Sequence, residues 1–323
     1  MMTAADAKST STSLTVGEQL LAIYEENGFE VHTGWNPYHL DNWRDAQFTY
    51  VKKDKRLLNT GGGGLSWHEI PCLELLSYCV SPERILVIGN SFGWSTLLMS
   101  LLWPHAEVVA MDVGVQPPAD AAQKIVAMIV KRLRGDEPLL NPKPTYGIEL
   151  TNDLAQKNRL KARAVLSASP QDVGWVVEKH LGGPPDFVFI DGNHSVAQVL
   201  LDFEACHKVA AKNCVYLFHD VINWELRDAF ELCQRKSGLQ GGILWRTPSG
   251  IGLLYPEGCS DVKRVFGAFG DEEAELRSVK AKLPGWKRVA WFERVVCNNR
   301  LLRWIKDAIF TGARSSPPEG SPR

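Results

Sequence analysis

Residues Val87–Thr96 read VIGNSFGWST. The apolar run Arg84–Gly89 (RILVIG) leads into this stretch, and a helix-compatible run, Trp94–Trp103, leads out of it. Gly89 and Gly93 therefore stand where a strand hands over to a helix. Glycine there lets the backbone approach a ligand closely, and Ser95 and Thr96 place hydroxyls at the helix N-terminus. The spacing is Gly-x-x-x-Gly, not the Gly-x-Gly-x-x-Gly of a dinucleotide fingerprint.

On either side the chain alternates β-rich apolar runs with amphipathic ones. The strand candidates are Arg84–Gly89, Glu107–Asp112, Ala162–Leu166, Asp186–Asp191 and Cys214–His219. Their almost unbroken apolar character suits strands buried on both faces of a parallel sheet. The runs Gly242–Arg246 and Gly250–Tyr255 flank Thr247-Pro248-Ser249 and are too close for anything but an antiparallel hairpin. The spacing predicts helices over Glu69–Val80, Trp94–Trp103, Ala119–Arg134, Ile148–Asn158, Gln171–Leu181, Val196–Ala211 and Trp224–Lys236. The outline is α/β: a doubly wound seven-stranded sheet of five parallel strands and a C-terminal β-hairpin. It is flanked by an N-terminal helical segment and a C-terminal helical extension. In such sheets ligands bind at the carboxyl ends of the strands, so the residues that end strands matter most.

Three strand ends carry acids. Asp112 closes VVAMD, 19 residues after Gly93, where a carboxylate commonly accepts ribose hydroxyls; a solvated loop aspartate has the same appearance. Asp191-Gly192-Asn193-His194 and His219-Asp220 end two further runs. Carboxylates and imidazoles gathered over an apolar sheet need a partner: a cation, a substrate hydroxyl or a helix N-terminus. A purely structural cluster is the alternative.

In their order, VIGNSFGWST, Asp112, Ser167-Ala168-Ser169, FIDGNHS and LFHDV resemble the class I S-adenosylmethionine-dependent methyltransferases, over roughly residues 60–256. IDGNHS followed by a helix and FHD is most similar to the macrocin-type small-molecule methyltransferases and to catechol-type O-methyltransferases. The resemblance implies S-adenosylmethionine as cofactor. Gly89, Asn90, Ser91 and Gly93 would lie against its methionine part, Ser95 near its carboxylate, Asp112 at the ribose, Ala168 and Ser169 beside the adenine, and Asp191 at the fourth strand. It also implies a divalent metal, Mg²⁺ or Mn²⁺, at Asp191, His219 and Asp220. Three positions depart from the pattern. Val87 stands where many members carry an acid, His194 where catechol-type enzymes have a lysine, and His219-Asp220 where they have Asp-Asn. His194 is the expected general base and His219 its rival. The expected reaction is methyl transfer to a small-molecule acceptor, at oxygen, with nitrogen as the variant. A catalytically silent cofactor-binding assembly partner is the reading from another class.

Composition frames these expectations. The 323 residues are 45% hydrophobic and 23% charged with net charge −1, which disfavours a globally basic nucleic-acid binder. The N-terminus lacks an apolar core segment, and the seven cysteines are odd in number with no CxxC, so a cytoplasmic protein with reduced thiols is expected. The expected organisation is a disordered tail over 1–13, a helical lid segment over 14–80, the Rossmann-like domain over 81–260, a helical extension over 261–314 and a disordered tail over 315–323. Gly61–Gly64 reads as a hinge of the lid or a plain linker, and the long connection over 113–150 as a pocket-shaping insertion or an oligomer contact. Residues 261–314 hold 12 basic against 7 acidic side chains. Their apolar stripe suits packing on the core or on a second copy in a homo-oligomer, with anionic membrane contact as the other reading.

Overall fold

The strand runs above assemble into one sheet in the computed structural model, which describes residues 14–33, 49–54, 56–57, 64–114 and 145–270. β4 (Arg84–Ile88), β5 (Glu107–Asp112), β6 (Ala162–Leu166), β7 (Phe187–Ile190) and β8 (Val215–Phe218) are parallel, and β9 (Gln240–Leu244) and β10 (Ile251–Tyr255) form the antiparallel hairpin. The order is β6-β5-β4-β7-β8-β10-β9, so the chain reverses direction between β4 and β7. There the exits of β4 and β7 lie side by side, which is where such a sheet opens a ligand crevice.

Period-two alternation sends side chains to both faces. Ile85 and Val87 of β4 join a core with Phe187, Phe189, Val215 and Leu217, under α1 (Val16–Glu25), α2 (Ile70–Ser77), α3 (Trp94–Leu102) and α4 (Tyr146–Lys157). Leu86 and Ile88 join the opposite core with Val188, Ile190, Tyr216 and Phe218. α5 (Val173–Val176), α6 (Val196–Val209) and α7 (Arg227–Ser237) cover that face, and α8 (Lys263–Phe269) follows the hairpin. Where a helix was expected over Gln171–Leu181, four α-helical residues pass into a wider turn over Val177–Leu181, ended by Gly182 at φ 74°.

The segment expected to be a helical lid is not wholly helical. After α1, capped by Thr15 and Glu18, the chain forms a three-stranded antiparallel sheet of β1 (Phe29–Thr33), β2 (Thr49–Lys53) and β3 (Arg56–Leu57). This small sheet holds the strap over residues 64–69. Thr49 Oγ1 donates to Leu65 O at 2.9 Å, and Trp67 N donates to Thr33 Oγ1 at 2.9 Å. Tyr24, fully buried in α1, donates from its hydroxyl to Phe92 O at 2.8 Å and so ties the segment to the glycine loop. The helix expected over Ala119–Arg134, most of the 113–150 connection, Gly61–Gly63, the chain beyond residue 270 and both tails lie outside the described residues. Six of the seven cysteines are described and all six are free. Among the described residues no helix is long and apolar enough to cross a membrane.

Candidate active site

The glycine loop leaves β4 under tight steric limits. Gly89 (φ 94°) and Gly93 (φ 87°) both take left-handed backbone, and a Cβ on Gly93 would run into the Thr151 side chain. Ser91 adopts φ 48° without being glycine, a strain of the kind held at ligand-facing loops. Asp112 grips this loop from the tip of β5. Its Oδ2 accepts from Asn90 N at 2.8 Å and Ser91 N at 2.9 Å, and its Oδ1 accepts from Gly114 N at 2.7 Å. A carboxylate offers about four acceptor sites, so Asp112 keeps capacity for a hydroxyl of a bound ligand. Asn90 turns its amide inward, donating to Gly147 O and Thr151 Oγ1 as well as to Ser91 O, so its side chain ties the loop to α4.

The strap passes over this loop. Leu65 N donates to Ser95 Oγ at 3.3 Å, and a Cβ on Gly64 would collide with that hydroxyl and lie 3.3 Å from Asp191 Oδ2. Across the sheet, β6 ends beside Asp112, where Leu166 pairs in register. The turn after it is pinned by Ala168 N donating to Asp172 Oδ2 at 2.8 Å and Ser169 Oγ donating to Asp202 Oδ1 at 2.6 Å. The Ser169 hydroxyl is thus bonded into the fold. These glycines, the retained capacity of Asp112 and the turn at residues 167–169 form a cradle that fits a ligand with an amino-acid tail and a ribose.

At the tips of β7 and β8 the polar cluster is densest. His219 Nδ1 lies 3.0 Å from Asp191 Oδ1 and 3.5 Å from Asp220 Oδ2, and its Nε2 lies 3.2 Å from Glu69 Oε2. Burial alone would lower the His219 pKa, but the Asp191, Asp220 and Glu69 carboxylates outweigh it and hold the ring charged well above its usual range. Burial would likewise raise Asp191 and Asp220; the imidazoles of His219 and His194 reverse this, taking Asp220 down to about 2. Asp220 sits at φ 58° and accepts from Asn223 Nδ2 at 3.2 Å.

His194 differs from His219. Its Nε2 is buried and has no hydrogen-bond partner among the described residues, although Asp191 Oδ1 lies 3.5 Å away and Asp220 Oδ2 3.4 Å away. Its ring stacks on Trp224, with centroids 5.1 Å apart and planes 21° from parallel. Ser195, not His194, caps α6 by accepting from Gln198 N. Asp191, His194, His219 and Asp220 thus meet as expected at the sheet's carboxyl edge. Glu69 is a fifth member of the cluster that the sequence reading took only as the start of a helix.

Residues 86–221 match a protein family described as a methyltransferase domain. No curated protein matches the sequence. Similar solved structures include an O-methyltransferase from Bacillus cereus in complex with SAH, at 16% identity over 61% of this chain and 84% of that chain, with a TM-score of 0.43. The O-methyltransferase TomG from Streptomyces achromogenes, involved in tomaymycin synthesis and bound to SAM, is 13% identical over 60% of this chain and 82% of that one, TM-score 0.43. Cofactor-bound Rv0187 from MTB is 18% identical over 59% and 81%, TM-score 0.39. The matched segment runs from within β4 to just past β8, so the parallel part of the sheet is what this chain shares with the methyltransferase domain family.

Proposed function

We propose that this chain transfers the methyl group of S-adenosylmethionine to a hydroxyl of a small-molecule acceptor, with His194 taking the proton. The observation that carries the reading is the buried Nε2 of His194, without a hydrogen-bond partner among the described residues, at the same sheet edge as the glycine loop. When bound, the cofactor supplies a methyl group activated on a sulfonium sulfur. The protein's part is to hold donor and acceptor in line and to receive the acceptor proton. Gly89 and Gly93 admit the cofactor's backbone-like tail, Asp112 accepts its ribose hydroxyls, and the Ala168–Ser169 turn borders its adenine. Asp191 Oδ1 and Asp220 Oδ2 lie 3.5 and 3.4 Å from His194 Nε2 and fix where the ring sits. His219 is the weaker base because a carboxylate already faces each of its ring nitrogens.

S-adenosylmethionine or its demethylated product should raise the melting temperature of the full chain, as any ligand of the native state does. Asp112→Ala should shrink that increment, because the ribose loses a charged acceptor and the loop loses two N–H anchors. An unchanged increment in the variant, or a response to NADH in place of S-adenosylmethionine, would sink the cofactor assignment.

The donor set at the β7 and β8 tips also suits a divalent cation. One ligand atom each from Asp191, His219 and Asp220 lie within 4.8 Å of one another. Asp191 and Asp220 would offer carboxylate oxygens to Mg²⁺ or Mn²⁺, His219 would join them through Nδ1 only once its ring is neutral, and the ion would lower the pKa of an acceptor hydroxyl. Chelation to a state shown metal-free by elemental analysis should then lower turnover at least tenfold, with recovery on adding Mg²⁺ or Mn²⁺. Undiminished turnover of the metal-free protein removes the ion from the reaction.

A further inference from the structure

Glu69 lies outside the residues matched to the methyltransferase domain, yet it is fully buried against that domain's strand ends. Five donors from three separate segments converge on its carboxylate. Ser66 N and Ser66 Oγ donate to Oε2 at 2.8 and 3.1 Å, and Ser249 N donates to Oε1 at 3.2 Å. Ser249 Oγ also donates to Oε1, and His219 Nε2 faces Oε2. The serines supply neutral dipoles; the imidazole is the one cationic partner in this set. A buried carboxylate without such a partner is strongly unfavourable.

The other ring nitrogen of His219 reaches Asp191 Oδ1, so the imidazole is clamped between Glu69 and Asp191. The strap that carries Glu69 also brings Gly64 against Ser95 and Asp191. A single segment from outside the matched domain therefore sets the orientation of His219 and, through it, the carboxylate at the tip of β7.

We infer that Glu69 is a positioning residue for methyl transfer: it holds His219, and His219 holds Asp191 in the geometry that the cofactor and His194 require. This rests on the methyl-transfer reading. Ser249 and Ser66 are bonded to the same carboxylate, but they keep Glu69 in place without touching His219's ring in the contacts above.

The test is Glu69→Gln in the full chain. Glutamine keeps the size but has one acceptor oxygen and no charge; with that oxygen on the two Ser249 donors, its NH₂ group faces His219 Nε2 and cannot accept from it. S-adenosylhomocysteine affinity is read by calorimetry, and the ring N–H groups are read by NMR on histidine-labelled protein. The expected result is a folded variant with affinity lowered about tenfold and the exchange-protected His219 Nε2–H signal lost. Ser249→Ala, which removes one donor to Glu69 and nothing from His219, should lower the melting temperature but leave both readouts near wild type. A folded Glu69→Gln variant with wild-type affinity overturns the proposal, as does an equal loss of affinity in Ser249→Ala. If Glu69→Gln does not fold, the wild-type spectrum decides: a protected His219 Nε2–H supports the clamp, and its absence overturns it. If wild type does not bind S-adenosylhomocysteine, the methyl-transfer reading fails, and the ring signal alone still decides whether Glu69 holds His219.

Discussion

Gly89→Ala is expected to destabilise the chain by roughly 2–6 kcal/mol and to abolish the melting-temperature response to S-adenosylmethionine. Two effects add. Gly89 sits at φ 94°, a left-handed conformation that costs a residue with a Cβ about 1–3 kcal/mol. The new Cβ would also press on the Asp191 carbonyl, 2.8 Å from its carbon and 3.1 Å from Gly192 Cα. Those atoms belong to the backbone leaving β7, which is locked by Asp191 N donating to Ile88 O at 2.8 Å, so they cannot swing aside as a flexible side chain would. Overpacking of this kind costs about 1–3 kcal/mol. At roughly 2–4 °C per kcal/mol for a chain of this size, the melting temperature should fall by at least about 4 °C. Scanning calorimetry with and without the cofactor checks both parts. A variant melting within about 2 °C of wild type would show that the β4 and β7 exits are looser than this packing implies.

That junction was legible in the sequence. β5 and β6 run as the apolar patterns predict, and β4, β7 and β8 differ by single residues at their ends. Burial on both faces produces unbroken apolar runs, and the first polar residue after each run falls at the carboxyl edge. Asp112, Asp191 and His219-Asp220 could therefore be placed before any coordinates. The small sheet β1-β2-β3 could not. Its strands Phe29–Thr33 and Thr49–Lys53 are short and separated by 15 residues with no hairpin signature, so nothing local announces their pairing. Glu69 escaped for a related reason. Ser66-x-x-Glu69 is a helix-start signal, and Glu69 does bond back to Ser66 N. The same carboxylate also meets His219, 150 residues away, and Ser249, 180 residues away. Ser249 was read as part of a connecting turn. Because β10 runs antiparallel to β8, that turn returns to the carboxyl edge, where Ser249 reaches Glu69. Contacts of this sequence separation are set by topology, and only the assembled sheet reveals them.

His194→Asn and His219→Asn should fail in opposite ways. His194 Nε2 has no hydrogen-bond partner among the described residues, so its loss leaves none of their buried donors unmatched and forfeits chiefly the stack on Trp224, about 0.5–1.5 kcal/mol. As the general base, however, it should take turnover down by about 10²-fold or more once an acceptor is in hand, with cofactor affinity near wild type. His219→Asn removes the imidazolium from among Glu69, Asp191 and Asp220, and breaking such a buried pair costs about 3–5 kcal/mol. The two deficits also differ in their dependence on pH. The His219 pKa is raised in the fold, so its contribution is complete below the unfolded value of 6.5 and is lost as pH rises through the folded value. Asp191 and Asp220 are lowered, so their contribution is present above the unfolded value of 3.8 and is lost as pH falls through the folded value, about 2 for Asp220. Without His219, burial dominates these carboxylates and favours their neutral forms, so acid relieves the variant over a range in which the wild-type cluster keeps its contribution. The stability gap between wild type and His219→Asn should therefore narrow from near pH 7 to near pH 4, as measured by urea unfolding at each pH. A gap that stays constant would mean that His219 does not carry the charge of the cluster. Full turnover by His194→Asn would pass the role of base to another group.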